Sequence, residues 1–140
     1  MKITDFDFKI IGSDNNKKAV FIAQNNVKKA GFSNIVEIRE TSIQKMIPPM
    51  GKGTLIINPP YGERMETYQI DLLYKQIGTA FKEHFTGYTC GIISSNFEGL
   101  KNIGLKPMKK FPVINGKLDC VFYLYEMYEG SKRKPKEINE

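Results

Sequence analysis

The sequence predicts an α/β fold, an open and mostly parallel sheet with an antiparallel hairpin at its C-terminal edge. Three observations carry that expectation. Short apolar runs alternate with helical patterns along the chain. The run Thr54–Ile57 is continuously apolar after its first residue, the mark of a strand covered on both faces, as in parallel sheets. Finally, Asn115-Gly116 stands between two apolar runs, the strongest short signal for a hairpin.

The elements follow in order. Phe8-Lys9-Ile10-Ile11 reads as a short strand running into Gly12-Ser13-Asp14. A helix follows, with Val20, Ala23, Val27 and Ala30 at three- and four-residue spacing and Gly31 where a left-handed C-cap belongs. Ile35–Arg39 alternates as a second strand, and Pro48 to Gly53 form a loop. Thr54–Ile57 ends in Asn58-Pro59-Pro60-Tyr61-Gly62, where two prolines forbid continuation of strand or helix. The next helix sets Ile70, Leu73, Tyr74, Ile77, Ala80 and Phe81 on one stripe and stops near Gly87. Thr89–Ser94 is another buried strand. Phe111–Ile114 and Leu118–Met127 then flank the Asn115-Gly116 turn, expected as type I′ with positive φ at both central residues.

The 140 residues allow one domain with a real core. Hydrophobic residues at 41% and charged residues at 26% fit an ordinary globular class. The one histidine, His84, and the two cysteines, Cys90 and Cys120, lie far apart, which excludes a zinc site of paired Cys/His spacing and argues against a disulfide framework. Two reduced thiols point to a cytoplasmic protein. No apolar run approaches the ~20 residues of a membrane span, and Met1 to Lys9 lack the basic stretch of a signal peptide. The net charge of +6 suits a polyanionic partner, although part of it sits in the tail Lys132-Arg133-Lys134-Pro135-Lys136. The domain is expected over residues 1–130 and a basic, solvated tail over 131–140.

In open α/β sheets ligands bind outside the carboxyl ends of the strands. Asp14, Thr41-Ser42 and Asn58-Pro59-Pro60-Tyr61 all fall there. Each has a structural alternative: Asp14 as the N-cap of the following helix, Thr41 and Ser42 as loop residues, Asn58 and Tyr61 as a plain strand-to-loop turn. Glu63 and Arg64 read as loop-orienting or phosphate-touching groups or as a surface ion pair, and His84 as a structural residue late on a helix. Tyr123, Tyr125 and Tyr128 resemble a packed hairpin face more than a stacking platform.

Asn58-Pro59-Pro60-Tyr61 resembles the motif of class I S-adenosylmethionine-dependent amino-methyltransferases. Its extension through Gly62-Glu63-Arg64-Met65 is similar to the THUMP-containing ribosomal RNA guanine-N2 methyltransferases, as are Gly12-Ser13-Asp14, Ala30-Gly31 and the Asn115-Gly116 hairpin with Cys120. The resemblance implies a Rossmann-like methyltransferase sheet, S-adenosylmethionine as cofactor, and methyl transfer to guanine N2 in ribosomal RNA. It also implies roles. Asn58, Pro59, Pro60 and Tyr61 form the catalytic set, and Asp14, Ser42 and Asn58 contact the cofactor. Asp14 stands where the family's ribose-binding acid lies. Thr41 and Ser42 stand where many relatives carry an Asp that reads the adenine amine, so that contact departs from the pattern.

The chemistry explains the residue types. An aryl amine is a poor nucleophile because its lone pair is delocalised into the ring. If Asn58 Oδ1 and the Pro59 carbonyl each accept one N–H, the nitrogen can pyramidalise and aim its lone pair at the methyl group. Pro-Pro presents carbonyls from a stiff backbone, and Tyr61 stacks on a base taken out of its helix. The same geometry serves adenine N6 or a glutamine amide. A reading from another class is a non-catalytic RNA-binding or assembly remnant.

The family's first strand and its glycine-rich loop should precede Asp14 by ~20 residues or more. Only thirteen residues precede it, with Gly12 the sole glycine among them, so the cofactor site is expected to be incomplete and this fragment inactive alone. Met1 then marks an internal start, a gene fragment or an expression boundary. A sheet lacking that central strand would be repaired by pairing Phe8–Ile11 directly with Thr54–Ile57 or by a homodimer through the exposed edge.

Overall fold

The computed structural model describes residues 7–129. The basic tail over 131–140 and most of the Met1 to Lys9 stretch lie outside the described residues. The chain forms two compact units that divide between Met46 and Ile47.

The first unit is a βαβ motif. Strand β1 (Ile10–Asp14) pairs in parallel with β2 (Val36–Glu40), with Ile10 opposite Val36 and Asp14 opposite Glu40. Helix α1 (Lys17–Ala30) connects them. It starts because Asn16, in extended conformation, accepts the Ala19 N–H on its side chain at 3.0 Å. The cap is therefore Asn16 and not Asp14. The helix ends at Gly31, whose φ of 79° is the left-handed conformation expected there. Lys28 and Lys29 in its last turn complement the helix dipole. Val20 is the stripe residue that is buried, whereas Ala30 at the helix end is exposed.

The second unit has a four-stranded sheet in the order β3-β4-β6-β5. Strand β3 (Gly53–Ile57) and β4 (Tyr88–Ser94) are parallel, joined by α2 (Thr67–His84). After β4 come a short helix α3 (Phe97–Leu100) and a 3₁₀ turn (Lys101–Ile103). Strands β5 (Lys109–Asn115) and β6 (Leu118–Glu126) form the hairpin, with β6 antiparallel to both β4 and β5. The α/β class with parallel pairs and an antiparallel C-terminal hairpin is as the sequence predicts.

Helix α2 packs on the face that carries Cys90, Ile92, Ser94 and Tyr125. Its buried stripe of Ile70, Tyr74, Ile77 and Phe81 repeats every three or four residues, the helical period. The Phe81 and Tyr125 rings meet at 5.9 Å between centroids. Gly78 on the same helix lets the 3₁₀ turn approach, because a Cβ there would strike the Ile103 carbonyl oxygen.

Three expectations are corrected. Strand β3 is not covered on both faces: Leu55 and Ile57 are half-buried, while Thr54 and Ile56 are exposed, Ile56 to 67%. It is the outer strand of its sheet, and the helices of this unit pack together on the α2 side. The ladder between the first strand and Thr54–Ile57 is not formed either, since β1 pairs with β2 and β3 with β4. The steep cost that motivated it applies to polar groups buried without partners. Lastly, the hairpin turn is not type I′. Asn115 pairs with Leu118, so the central residues are Gly116 and Lys117, and among the described residues no non-glycine has a positive φ. A positive φ (64°) at Gly116 alone fits a type II′ turn, which takes glycine first.

No helix among the described residues is long and apolar enough to cross a membrane.

Candidate active site at the end of strand β3

Strand β3 ends because Pro59 and Pro60 have no N–H to donate. Pro59 is buried, Asn58 and Pro60 are exposed, and Tyr61 is half-buried. Gly62 turns the chain toward α2 with a φ of 105°, a conformation other residues rarely take.

A chain of hydrogen bonds fixes this loop from behind. The Tyr74 hydroxyl lies 2.8 Å from the Pro60 carbonyl and 2.7 Å from Ser94 Oγ, and the Asn96 N–H reaches Ser94 Oγ at 3.0 Å. A carbonyl can only accept and a backbone N–H can only donate. The single Tyr74 proton therefore goes to Pro60, and Ser94 donates to Tyr74 while accepting from Asn96. Tyr74 is fully buried, and that burial raises its pKa, so it stays protonated and able to donate. The Asn96 side chain holds the loop as well. Its Nδ2 donates to the Tyr61 carbonyl at 2.8 Å while its Oδ1 caps α3 through the Gly99 N–H at 2.7 Å.

On the open side, the Tyr61 hydroxyl donates to Asn58 Oδ1 at 2.7 Å, and Asn115 Nδ2 donates to the Tyr61 hydroxyl oxygen at 3.2 Å. The structure thus brings Asn58, Pro60 and Tyr61 together and joins to them four residues not read as site residues from sequence. Tyr74 and Ser94 passed as core positions, and Asn115 as a turn residue. Asn96 carried one legible signal, an N-cap-type residue two positions beyond a strand. The Pro59 carbonyl takes no hydrogen bond among the described residues. Asn58 Oδ1, with one bond accepted, keeps a lone pair. Two acceptors therefore stand at the strand's end.

In the first unit, Asp14 and Thr41-Ser42 meet at the carboxyl ends of the paired strands β1 and β2, where the Thr41 N–H donates to the Asp14 carbonyl at 3.0 Å. The Asp14 carboxylate accepts the Asn16 N–H at 2.7 Å through one oxygen and is exposed. Thr41 Oγ1 makes only a 3.4 Å contact to the Ser42 carbonyl, and that carbonyl holds the turn through Lys45 and Met46. Glu63 and Arg64 are exposed and make no salt bridge among the described residues. His84 ends α2 in weak contact with Glu83 at 4.0 Å. Tyr125 is buried and Tyr123 half-buried, edge to face at 6.3 Å, whereas Tyr128 is exposed beyond the strand.

The model of the RMKL-like methyltransferase domain matches residues 2–123. The chain belongs to this methyltransferase-domain family. Among relatives of the family, it is 35% identical over 129 residues to the ribosomal RNA large subunit methyltransferase K/L of Shewanella sp. strain MR-4. That match covers 91% of the chain and 18% of the relative. The solved structure of SMU.472, named as a methyltransferase and complexed with SAH, superposes with a TM-score of 0.82 at 27% identity. It is covered over 34% of its length by 91% of this chain. A protein from Listeria monocytogenes strain 4b F2365, assigned as an N6-adenine-specific DNA methylase, gives a TM-score of 0.70 at 26% identity, with 84% of this chain on 30% of that one. The chain thus spans well under half of each of these three proteins, and its RMKL-like part supplies the Rossmann-like strands and the Asn58 loop.

Proposed function

We propose that this RMKL-like chain forms the amine-binding part of an S-adenosylmethionine-dependent methyltransferase that modifies guanine N2 in ribosomal RNA. The observation that carries the reading is the pair of acceptors, Asn58 Oδ1 and the Pro59 carbonyl, held at the end of β3 by a stiff loop. The K/L relative supports ribosomal RNA as the substrate.

The first unit suits the cofactor's chemistry. Asp14 has one carboxylate oxygen committed to Asn16, and its second oxygen can accept hydroxyl hydrogens of the ribose. Ser42, half-buried at the neighbouring strand end, offers a hydroxyl toward the adenine. In the second unit, Asn58 would contact the methyl-bearing end. Bound S-adenosylmethionine supplies the methyl group, its carbon–sulfur bond breaking as the carbon–nitrogen bond forms and the sulfonium becoming a thioether.

The chain's own residues act on the amine. Asn58 Oδ1 and the Pro59 carbonyl accept its two N–H bonds, which withdraws the lone pair from the ring and points it away from both oxygens. As positive charge builds on nitrogen, these bonds strengthen, so they stabilise the transition state more than the bound substrate. Tyr61 gives the extruded base a ring to stack on, worth ~1–3 kcal/mol. The released proton leaves through water. Tyr74 and Asn96 hold the loop and touch no substrate.

A second reading, transfer to adenine N6, is favoured by the likeness to the Listeria protein, and the same acceptors would serve it. The deciding experiment uses the full-length protein that carries this chain. It is incubated with labelled S-adenosylmethionine and unmethylated large-subunit RNA, and the products are digested to nucleosides for mass spectrometry. N2-methylguanosine is the expected product. N6-methyladenosine replaces the guanine assignment with adenine, and no base methylation at all overturns the enzymatic reading.

A further inference from the structure

Asn58 reaches the reaction through a carboxamide, whose oxygen and nitrogen occupy nearly interchangeable positions. An oxygen facing the amine assists it, and a nitrogen in the same place presents N–H to N–H and repels it. Something must therefore fix the orientation of the amide, and two side chains stand in line to do so. Tyr61 stands 2.7 Å from Asn58, and Asn115, from the end of strand β5, stands 3.2 Å from Tyr61.

A phenol has one proton to give and accepts on the same oxygen. The three groups therefore form a chain with a direction: Asn115 N–H to Tyr61 O–H to the Asn58 carbonyl. The reverse chain, Asn58 N–H to Tyr61 O–H to the Asn115 carbonyl, fits the same heavy-atom positions. It places a donor where the incoming amine needs an acceptor. Asn115 is 54 residues from Tyr61 in sequence, and the antiparallel hairpin brings it there.

We propose that Asn115 is a positioning residue that, through the Tyr61 hydroxyl, sets which end of the Asn58 carboxamide faces the substrate amine. The proposal rests on the amine-binding reading of Asn58. It makes the direction of the chain, and not merely its presence, the property that matters.

Two substitutions separate direction from presence. Asn115→Ala removes the end of the chain and leaves both directions open. Asn115→Asp keeps the shape but can only accept, so Tyr61 must donate to it and Asn58 must turn its nitrogen to Tyr61. With the full-length protein at saturating RNA, kcat should fall about two- to tenfold for Asn115→Ala and about ten- to a hundredfold for Asn115→Asp. Repulsion of RNA by the new charge raises KM and is separated by reading kcat. In a Tyr61→Phe background, where no hydroxyl links the two amides, both substitutions should give the same kcat.

A second measurement needs no turnover. In the ¹⁵N-labelled 140-residue chain, the Asn58 side-chain amide resonances should shift in Asn115→Asp more than in Asn115→Ala, and Tyr61→Phe should abolish the difference. Equal kcat for the two variants, or Asn58 resonances indifferent to Asn115, overturns the positioning role and leaves the amine reading intact. Normal methyl transfer by Asn58→Ala overturns the amine reading itself, while the resonances still report whether the chain has a direction.

Discussion

At the scale of single residues, the site depends on where protons sit. On the proposed reading, Asn58 and the Pro59 carbonyl assist an amine only by accepting, and their contribution grows as charge develops on nitrogen. Asn58→Ala in the full-length protein should lower kcat by about 10²–10³, by analogy with removal of one oxyanion-hole donor. S-adenosylmethionine affinity, measured by calorimetry, should stay similar, because the side chain acts mainly on the amine. A second prediction concerns protons that the core retains. Burial pushes the Cys90 thiol up to about 12, and it raises Tyr74, Tyr88 and Tyr125 as well. Above the ordinary thiol pKa of about 8.5, the unfolded chain releases a proton that the folded chain keeps. Stability is therefore unaffected by Cys90 below that value and declines as pH climbs toward about 12. Urea midpoints should be lower at about pH 10.5 than at about pH 8, and Cys90→Ala should reduce that difference while leaving the share of the buried tyrosines. The Asn58 loop was legible because two adjacent prolines after an apolar run leave the backbone few options. Its supports were not. Tyr74 lies 14 residues from Pro60 and Asn96 lies 35 from Tyr61, and each fills an ordinary local role that a sequence shows just as well.

At the scale of elements, periodicity and punctuation carried most of the fold. Gly31 caps α1, the stripe from Ile70 to Phe81 is the buried face of α2, and Asn115-Gly116 marks the hairpin. What escaped is what neighbours decide. Composition cannot say whether an apolar strand has cover on both faces, so the exposure of Ile56 was hidden in a run that reads as interior. A one-residue displacement of the turn, from Asn115-Gly116 to Gly116-Lys117, changed its type and returned Asn115 to the strand, where it meets Tyr61. Gly78 was likewise silent: inside a helix it reads as a mild flaw, costing about 1 kcal/mol against alanine. The structure reverses that expectation, because a Cβ there meets the Ile103 backbone. Backbone cannot rotate aside as a side chain can. Gly78→Ala should destabilise the chain by about 1–3 kcal/mol despite the better helix propensity, as overpacking of a tight contact does. Equilibrium urea denaturation measures it, and a stabilised variant would show that the 3₁₀ turn yields freely.

At the scale of the whole molecule, the two units offer different things to a cofactor. The second holds a rigid loop whose acceptors are set by internal bonds, so the amine side is preorganised. The first has Asp14 and Ser42 at adjacent strand ends, the residues proposed for the ribose and base. Among the described residues, neither unit has been assigned a group for the methionine end of S-adenosylmethionine. A carboxylate and an ammonium on a flexible stem are best held where glycines let backbone N–H groups and carbonyls approach closely. Gly12 is the one glycine before Asp14, and it lies inside strand β1, its backbone engaged opposite Ile38. A Cβ at Gly12 would crowd the Ile38 side chain, so its lack of a side chain serves packing within the βαβ motif. The remaining contacts amount to a few solvent-exposed hydrogen bonds. Each contributes only ~0.5–1.5 kcal/mol after water is displaced, and the ligand's freedom must still be lost. Calorimetry with the 140-residue chain should therefore show S-adenosylmethionine binding that is weak or undetectable. A micromolar dissociation constant would show that the two units alone can hold the methionine end, and would remove the need for a glycine-rich loop in this chain.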